Sequence, residues 1–201
     1  MKNNNKLIPL NKDPLDLFVN WYNQAKKTEI NDPNAMNLST VSEKNRPSSR
    51  IVLLKSFNKD GFVFYTNIES KKGKSLQNNK YVALNFYWKS LHKQIRIEGS
   101  VFKISNKKAD KYFNSRPLDS RIGAWASAQS KVLKNRDDLI KNFETFKKKF
   151  TKIQIYRPNY WTGYIVVPNL IEFWQEMPFR LHDRVEYKKI GNMWKSRNLY
   201  P

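Results

Sequence analysis

The sequence contains no cysteine and only two histidines, His92 and His182, which lie far apart in the chain. Without cysteine the protein can form no disulfide, no thiolate metal site and no thiol nucleophile. Two isolated histidines do not make a transition-metal cluster, and neither stands in a recognisable setting for a serine triad. The composition therefore predicts no metal site and gives little support to a hydrolase.

Glycine is also scarce, with six in 201 residues, and the glycine-rich loops that hold phosphates are missing. No G-x-G-x-x-G occurs, which removes the common dinucleotide fingerprint. Gly73-Lys74-Ser75 imitates the end of a P-loop, but Ile68 stands where that loop requires its first glycine. A P-loop is therefore excluded.

Long apolar runs are absent as well. No segment approaches the 18 apolar residues of a membrane span, and the N-terminal sequence lacks the apolar run of a signal peptide. Together with the absence of cysteine, these features predict a soluble, cytoplasmic protein with no membrane partner.

Acidic residues are few, since 17 Asp and Glu accompany 38 Lys and Arg, and the formal charge is +21. Such a charge is typical of proteins that bind nucleic-acid phosphates. However, 28 of the cations are lysine and the chain also holds 23 asparagines, a bias that favours compositional drift at solvated positions. A basic nucleic-acid-binding barrel, supported by 14% aromatic residues, stays open as an alternative.

The pattern along the chain is mainly β with peripheral helices. We predict a short, mobile N-terminal arm over 1–12 and a single domain over 13–201. Apolar residues at helical spacing indicate helices at 14–28, 107–115 and 135–150. Short β-branched and aromatic runs, with a hairpin turn at 58–61 and a bulge or bend at Gly99, predict six or seven antiparallel strands. A sheet of this size is expected to close into a barrel.

The segment "IEFWQEMPFRLHDR", 171–184, places Arg180, His182 and Arg184 on alternate positions. If this segment is extended, the three side chains point to one face and form a row of hydrogen-bond donors. Such a row suits a phosphate, a carboxylate or an electron-rich ring. A solvated strand face is the alternative interpretation.

Three further groups of polar residues could bind anions. They are Arg50 with Lys55, Lys71 with Lys72 after a helix-capping Ser70, and Tyr112 with Arg116 and Ser120. An ordinary helix end is the alternative interpretation of the last group. Taken together, the groups indicate two phosphate sites and a flat aromatic site without a strong nucleophile, which is typical of an enzyme whose cofactor carries the chemistry.

Several motifs in the same order resemble the pyridoxamine 5′-phosphate oxidase family, from about Asp13 to Pro201. Besides the segment 171–184, they are "RIVLLK" at 50–55, "FYTN" at 64–67, "KYFNSRP" at 111–117, "IGAWAS" at 122–127 and "QS" at 129–130. The resemblance implies an FMN-binding split β-barrel that works as a homodimer, with two flavin sites at the subunit interface. It also implies oxidation of pyridoxamine or pyridoxine 5′-phosphate to pyridoxal 5′-phosphate, with O₂ as acceptor and H₂O₂ as product.

The resemblance assigns roles to individual residues. It implies FMN contacts from Arg50, Ile51, Val52, Leu53, Leu54, Lys55, Tyr65, Thr66, Lys71, Lys72, Gln94, Gln129, Ser130, Trp174 and Arg184. It implies that the substrate phosphate is held by Lys55, Tyr112, Arg116 and Ser120, and that Arg180 and His182 lie beside the pyridine ring as the catalytic pair. Another flavin oxidoreductase on the same barrel is the alternative within this fold.

Overall fold

The computed structural model describes residues 7–201, which contain five α-helices and nine β-strands. The helices are α1 (Pro14–Thr28), α2 (Lys71–Asn78), α3 (Asn106–Ser115), α4 (Leu118–Ala126) and α5 (Arg136–Phe150). The strands are β1 (Ala35–Val41), β2 (Pro47–Leu53), β3 (Ser56–Asn58), β4 (Gly61–Asn67), β5 (Tyr81–Trp88), β6 (Lys93–Lys103), β7 (Trp161–Gln175), β8 (Asp183–Ile190) and β9 (Met193–Asn198). None of the helices in this part of the chain is long and apolar enough to cross a membrane.

All strands pair antiparallel in one curled sheet, in the order β2-β1-β5-β6-β7-β4-β3, with β8 and β9 continuing from β7. The 15-residue β7 organises the sheet. Its first half pairs with β4 and its second half with β8, while β6 runs along the opposite edge. β4 and β8 are therefore attached to opposite ends of one strand.

The predicted turn and bulge are confirmed, but the strand count of six or seven is wrong. Asn58 pairs with Gly61 across the hairpin, and the β6–β7 register shifts between Glu98 and Gly99. The described residues form nine strands, and one of the additional strands arises because the run around Arg50 divides into β2 and β3. Leu54 and Lys55 leave the β1 ladder there, and Lys55 N donates to Val63 O.

The main core lies between α1 and one face of the sheet. Asp13 caps α1 by accepting from Leu15 N, and Pro14 occupies the first turn, where its missing N–H costs nothing. Phe18 is fully buried and its ring makes edge contacts with Phe57, Phe62 and Phe86. Burial of each such side chain contributes about 2 kcal/mol, so this face fixes α1 on the sheet.

A second core cluster joins the later helices to the start of β7. Its buried members are Phe113, Ile122, Ile155 and Trp161. The predicted apolar stripe of α5 packs against this cluster, with Phe146 and Phe150 beside Trp125. The cluster holds α3 and α4 over the end of the sheet where a cavity of about 620 Å³ opens.

The predicted arm over 1–12 falls partly outside the described residues, which exclude 1–6. In the described part Ile8 is buried, and its N–H donates to Asp183 Oδ2 at 2.6 Å. The Tyr187 hydroxyl donates to Pro9 O at 2.6 Å. Residues 7–12 thus lie against β8 and β9.

Candidate active site

The candidate site is a cavity of about 620 Å³ bounded by β2, β4, the start of β7, α2, α3 and α4. Eleven of the residues predicted to bind cofactor or substrate line it: Ile51, Val52, Leu53, Lys55, Tyr65, Thr66, Lys72, Tyr112, Arg116, Ser120 and Gln129. Among the described residues that line this cavity there are three cations and no carboxylate. The cavity is therefore suited to an anionic ligand.

One group of cations lies where α2 begins. Ser70 accepts from Gly73 N at 3.2 Å, which confirms the predicted helix cap. Lys72 Nζ donates to Thr66 Oγ1 and to Gln129 Oε1, both at 3.2 Å. Burial lowers the pKa of Lys72, and the nearby charge of Arg50 lowers that pKa further. Two cations held close together in a partly buried site favour an anion such as a phosphate.

The Arg50 side chain is held by hydrogen bonds to β1 and β2, next to the Lys72 group. Its Nη1 donates to Leu38 O at 3.0 Å and to Thr40 Oγ1 at 2.8 Å, and its Nη2 donates to Ser48 Oγ. Burial lowers the pKa of Arg50. The guanidinium is thus fixed by neutral acceptors, so its charge stays available to the site.

The second group lies where α3 ends and α4 begins. Tyr112 and Arg116 are one helical turn apart, and Ser120 follows on α4. Arg116 Nη1 is buried and has no hydrogen-bond partner among the described residues. Burial lowers the pKa of Arg116, while Tyr112 raises it and Arg121 lowers it. A buried charged donor without a partner is costly, which indicates that a ligand anion completes this group.

Stacked aromatic rings form one wall of the cavity. The Tyr65 ring lies 3.9 Å from that of Tyr112 and 5.1 Å from that of Trp161, centroid to centroid, with nearly parallel planes. Burial raises the pKa of Tyr65, and Tyr112 raises it further. Both effects keep the Tyr65 hydroxyl protonated near neutral pH, so the wall presents uncharged rings.

A separate group of predicted residues lies at the far end of β7. Gln94 on β6 pairs with Trp174 on β7, and Trp174 pairs with Arg184 on β8. Directly opposed residues share one face of a sheet. The His182 ring lies 4.7 Å from that of Trp174. We refer to Gln94, Trp174, Arg180, His182 and Arg184 as the C-terminal group.

The predicted extended row of Arg180, His182 and Arg184 is not formed. Pro178–Arg180 is a 3₁₀ turn, and β8 begins only at Asp183. Pro178 suits the first position of such a turn, and Phe179 and Arg180 then leave the helical region, with positive φ values of 59° and 60°. The alternation of a strand therefore does not extend back to Arg180.

Arg184 is also engaged within its own chain. Its Nε and Nη2 donate to Glu172 Oε1 at 3.0 and 2.8 Å, and its Nη1 donates to Tyr200 O. Arg96 Nη1 donates to the other carboxylate oxygen of Glu172 at 2.8 Å. The buried Glu172 thus orients two guanidinium groups on the face that carries Trp174.

Replacing Glu172 with alanine is expected to lower the free energy of unfolding by about 3 kcal/mol, because Arg184 loses its carboxylate and Arg96 keeps only Glu98. Urea denaturation at one fixed protein concentration measures this change. Glu172→Gln is the matched control, since it keeps an acceptor without the charge, and its loss should be smaller. Equal losses for the two variants would contradict an ionic role.

The remaining predicted residues lie outside the cavity lining. Lys71 is exposed at the first position of α2, Ser130 is exposed with φ 72°, and Leu54 is buried in the main core. Sequence reasoning missed six lining residues: Asn67, Pro117, Gly123, Ala124, Ser127 and Trp161. The helical spacing from Ser120 could have found Gly123, Ala124 and Ser127. No local signal connects Trp161 to this site.

Comparisons with known proteins agree along nearly the whole chain. Residues 22–150 match the family model described as pyridoxamine 5′-phosphate oxidase. Residues 161–201 match the model described as the pyridoxine 5′-phosphate oxidase C-terminal dimerisation region. The chain is 54% identical to a pyridoxine/pyridoxamine 5′-phosphate oxidase of Pelagibacter ubique over 187 residues, 92% of this chain and 90% of the relative. It is 49% identical to the protein of the same name from Rhodospirillum rubrum over 195 residues, 94% of this chain and 97% of the relative.

Solved structures share the architecture. PhzG from Burkholderia lata, in complex with tetrahydrophenazine-1-carboxylic acid, has a TM-score of 0.88 at 29% identity and covers 94% of this chain and 93% of its own. A pyridoxamine 5′-phosphate oxidase-related, FMN-binding protein from Nostoc punctiforme shares the fold, with a TM-score of 0.74 at 14% identity, over 96% of this chain and 100% of its own. The predicted mainly β, split-barrel fold is confirmed. Sequence, fold and family models agree that the chain belongs to the pyridoxamine 5′-phosphate oxidase family.

Proposed function

We propose that this protein uses FMN to oxidise pyridoxamine or pyridoxine 5′-phosphate to pyridoxal 5′-phosphate, with O₂ reduced to H₂O₂. The observation that carries the proposal is the cavity itself, which combines two cationic groups, a wall of stacked rings and no carboxylate among the described residues that line it. A phosphorylated flavin and a phosphorylated pyridine require these features together. The curated relatives carry the same activity in their names.

The residues present fit an FMN molecule. Lys72, Thr66, Gln129 and the neighbouring Arg50 would hold its phosphate, supported by the capped start of α2. The segment Ile51–Lys55 and Tyr65 would lie along the rest of the cofactor. When bound, FMN supplies a two-electron acceptor that oxygen can reoxidise.

The second cationic group fits the substrate phosphate. Arg116 offers a buried, unpaired donor, and Tyr112, Ser120 and Lys55 line the same cavity. The protein's main contribution is orientation, because holding the substrate carbon against the flavin in a reactive geometry removes much of the barrier. A strong protein nucleophile is not needed for this chemistry.

One chain does not bring all the proposed residues together. Trp161, in the cavity, and Trp174, in the C-terminal group, are the first and penultimate residues of β7, roughly 40 Å apart along an extended strand. That separation is far longer than one flavin and one substrate in contact. We therefore assign the C-terminal group to the site of a second copy, so that a homodimer has two sites at its interface.

Two observations support the dimer. The residues that match a dimerisation region, 161–201, include β7, β8 and β9. On the outer sheet face, Asn37 pairs with Asn85, and the Oδ1 atoms of both are buried without a hydrogen-bond partner among the described residues. Buried amide oxygens normally accept a hydrogen bond, and a second copy can supply the donors.

Arg180 and His182 would then reach the substrate from the partner subunit. Arg180 would position and polarise the pyridine ring, and His182 would donate a hydrogen bond or assist proton movement. In its own chain, His182 Nδ1 accepts from Met177 N at 3.3 Å, which leaves Nε2 for the substrate. Neither residue is assigned as the base.

Lys71→Arg is expected to tighten FMN binding by a few fold, about 1 kcal/mol. Lys71 is exposed at the start of α2, where arginine would offer a planar fork of donors to the phosphate instead of a point charge. Fluorescence titration of the apoprotein with FMN measures this affinity. Lys74→Arg, at an exposed position of the same helix, is the control, and a weaker FMN affinity in the Lys71 variant would contradict the assignment.

A different oxidation on the same fold is the second candidate, because PhzG carries a phenazine ligand at a TM-score of 0.88. A phenazine carboxylic acid has no phosphate, so it would leave Tyr112, Arg116 and Ser120 without their ligand. The presence of all three in the cavity favours a phosphorylated substrate.

The proposed function is tested by following flavin reduction in the absence of oxygen. FMN-loaded protein is mixed with pyridoxamine 5′-phosphate while the oxidised-flavin absorbance is followed, and oxygen is then admitted. Bleaching followed by recovery, with pyridoxal 5′-phosphate formed, is the expected result. A bound flavin that never bleaches with either the amine or the alcohol would reject this substrate class.

A further inference from the structure

We propose that Trp161 is a positioning residue for substrate binding: its indole ring holds the Arg116 guanidinium in place for the substrate phosphate. The inference rests on the proposed function and adds a residue to it. Trp161 was not among the residues that sequence reasoning assigned to the site. It acts through Arg116 and through the shape of the cavity wall.

The contact between the two side chains is a cation–π interaction. Arg116 Cζ lies over the Trp161 ring, 5.0 Å from its centroid, and 5.7 Å from the centroid of Phe113. Both distances fall within the range in which a ring face attracts a cation, and tryptophan is the strongest such partner. No carboxylate among the described residues forms an ion pair with Arg116. Aromatic faces, and not acidic groups, hold this cation.

This way of holding the guanidinium matters for an anionic ligand. A carboxylate would occupy the N–H donors of Arg116 and neutralise its charge, so a phosphate would have to displace it. A ring face attracts the cation while leaving the edge donors free. The buried, unpartnered Nη1 of Arg116 is consistent with this arrangement, since that donor is oriented and desolvated before any ligand arrives.

Trp161 is itself firmly held. It is 7% exposed, its ring stacks on Tyr65, and the ring of Phe113 meets it edge-on at 5.3 Å. Its backbone oxygen accepts a hydrogen bond from Arg157 Nη1. The position of the indole is therefore fixed by the second core cluster and by the hydrogen bond from Arg157 to the Trp161 backbone at the start of β7.

Arg157 also ties this point of the sheet to α3. Its Nε donates to Asp110 Oδ1 at 2.6 Å, and its Nη2 donates to Asn106 Oδ1 at 3.1 Å, both on α3. The C-terminal end of α3 leads directly into Arg116. Arg157 thus fixes the helix relative to the tryptophan, and the indole meets the guanidinium at a defined place.

The experiment compares Trp161→Leu and Trp161→Phe in FMN-loaded protein, with kcat and KM measured for pyridoxamine 5′-phosphate and for unphosphorylated pyridoxamine. Trp161→Leu is expected to raise KM for the phosphorylated substrate roughly tenfold, with kcat changed by less than about twofold, because the lost interaction orients a binding group. The KM for pyridoxamine should not change. Trp161→Phe keeps an aromatic face and should recover much of the loss.

Trp125→Leu is the matched control. Trp125 belongs to the same aromatic cluster, where it contacts Phe146 and Phe150, but it does not line the cavity or contact Arg116. Trp125→Leu should lower the free energy of unfolding by about as much as Trp161→Leu does, and it should leave the KM for pyridoxamine 5′-phosphate unchanged. An unchanged KM in Trp161→Leu, or an equal rise for both substrates, would overturn the inference, and so would an equal effect in Trp125→Leu.

Calorimetric titration with inorganic phosphate separates this inference from the proposed function. We expect the FMN-loaded wild type to bind phosphate more tightly than Trp161→Leu does. If the wild type shows this difference but oxidises neither substrate, the oxidase function fails while the role of Trp161 in anion binding stands. If phosphate affinity is the same in both proteins while the wild type oxidises its substrate, the role of Trp161 fails alone.

Discussion

Replacing Arg116 with alanine is expected to reduce kcat/KM for pyridoxamine 5′-phosphate by about 100- to 1,000-fold while FMN stays bound. Nη1 of Arg116 is buried without a hydrogen-bond partner, and Arg116 is the arginine that lines the cavity among the described residues. Removing one member of a buried, hydrogen-bonded charge pair costs about 3–4 kcal/mol, which corresponds to this factor. Steady-state kinetics with excess FMN measures it.

The controls for this prediction separate charge from geometry. Arg116→Lys keeps the charge but loses the planar fork and the stacking on Trp161, so an intermediate loss is expected. Arg136→Ala removes an exposed arginine at the start of α5, outside the cavity, and should leave the kinetics unchanged. If Arg116→Ala lost no more activity on the phosphorylated substrate than on pyridoxamine, Arg116 would not be the phosphate ligand.

Replacing Arg180 with alanine is expected to leave FMN bound and to slow anaerobic flavin reduction by about two to three orders of magnitude, the scale of one lost transition-state contact. In its own chain Arg180 is exposed, and no hydrogen bond or ion pair to it is found within residues 7–201. Its removal should therefore barely change stability. Stopped-flow absorbance of the flavin measures the reduction rate.

Arg180→Gly tests whether the turn or the side chain matters. Arg180 has φ 60°, a conformation that costs a non-glycine residue about 1 kcal/mol and costs glycine nothing. The glycine variant should thus be as stable as the wild type or slightly more stable, yet as slow as the alanine variant. Unchanged flavin reduction in both variants would remove Arg180 from the site.

Local sequence signals predicted the local structure well. Asn58–Gly61 forms the hairpin turn, Gly99 the bulge, and Ser70 the cap of α2. Each of these features depends on a few neighbouring residues and on the backbone conformations they allow. Nine of the eleven predicted residues that line the cavity lie in the motifs that carry the family resemblance, and Lys72 and Ser120 lie outside those motifs.

Features that depend on distant parts of the chain could not be predicted in this way. Trp161 meets Arg116 only because the β4–β7 register and the Arg157 bridge to α3 bring them together. The row of donors predicted at 180–184 does not form, because a turn at Pro178–Arg180 stands where the prediction required an extended strand. The sequence also did not predict that β7 separates the two halves of the site, because that separation depends on where the two ends of this 15-residue strand lie in the fold.

The measurement that tests the central claim most directly is subunit complementation between Arg116→Ala and Arg180→Ala. Each variant alone is expected to be nearly inactive. If each site combines the cavity of one chain with the C-terminal group of its partner, a mixed dimer contains one site with both changes and one site with none. Unfolding and refolding an equimolar mixture should therefore restore about a quarter of wild-type activity per flavin, because half of the dimers are mixed. A mixture that stays as inactive as its components, in preparations where mixed dimers are demonstrated by mass, would contradict a site shared between two chains.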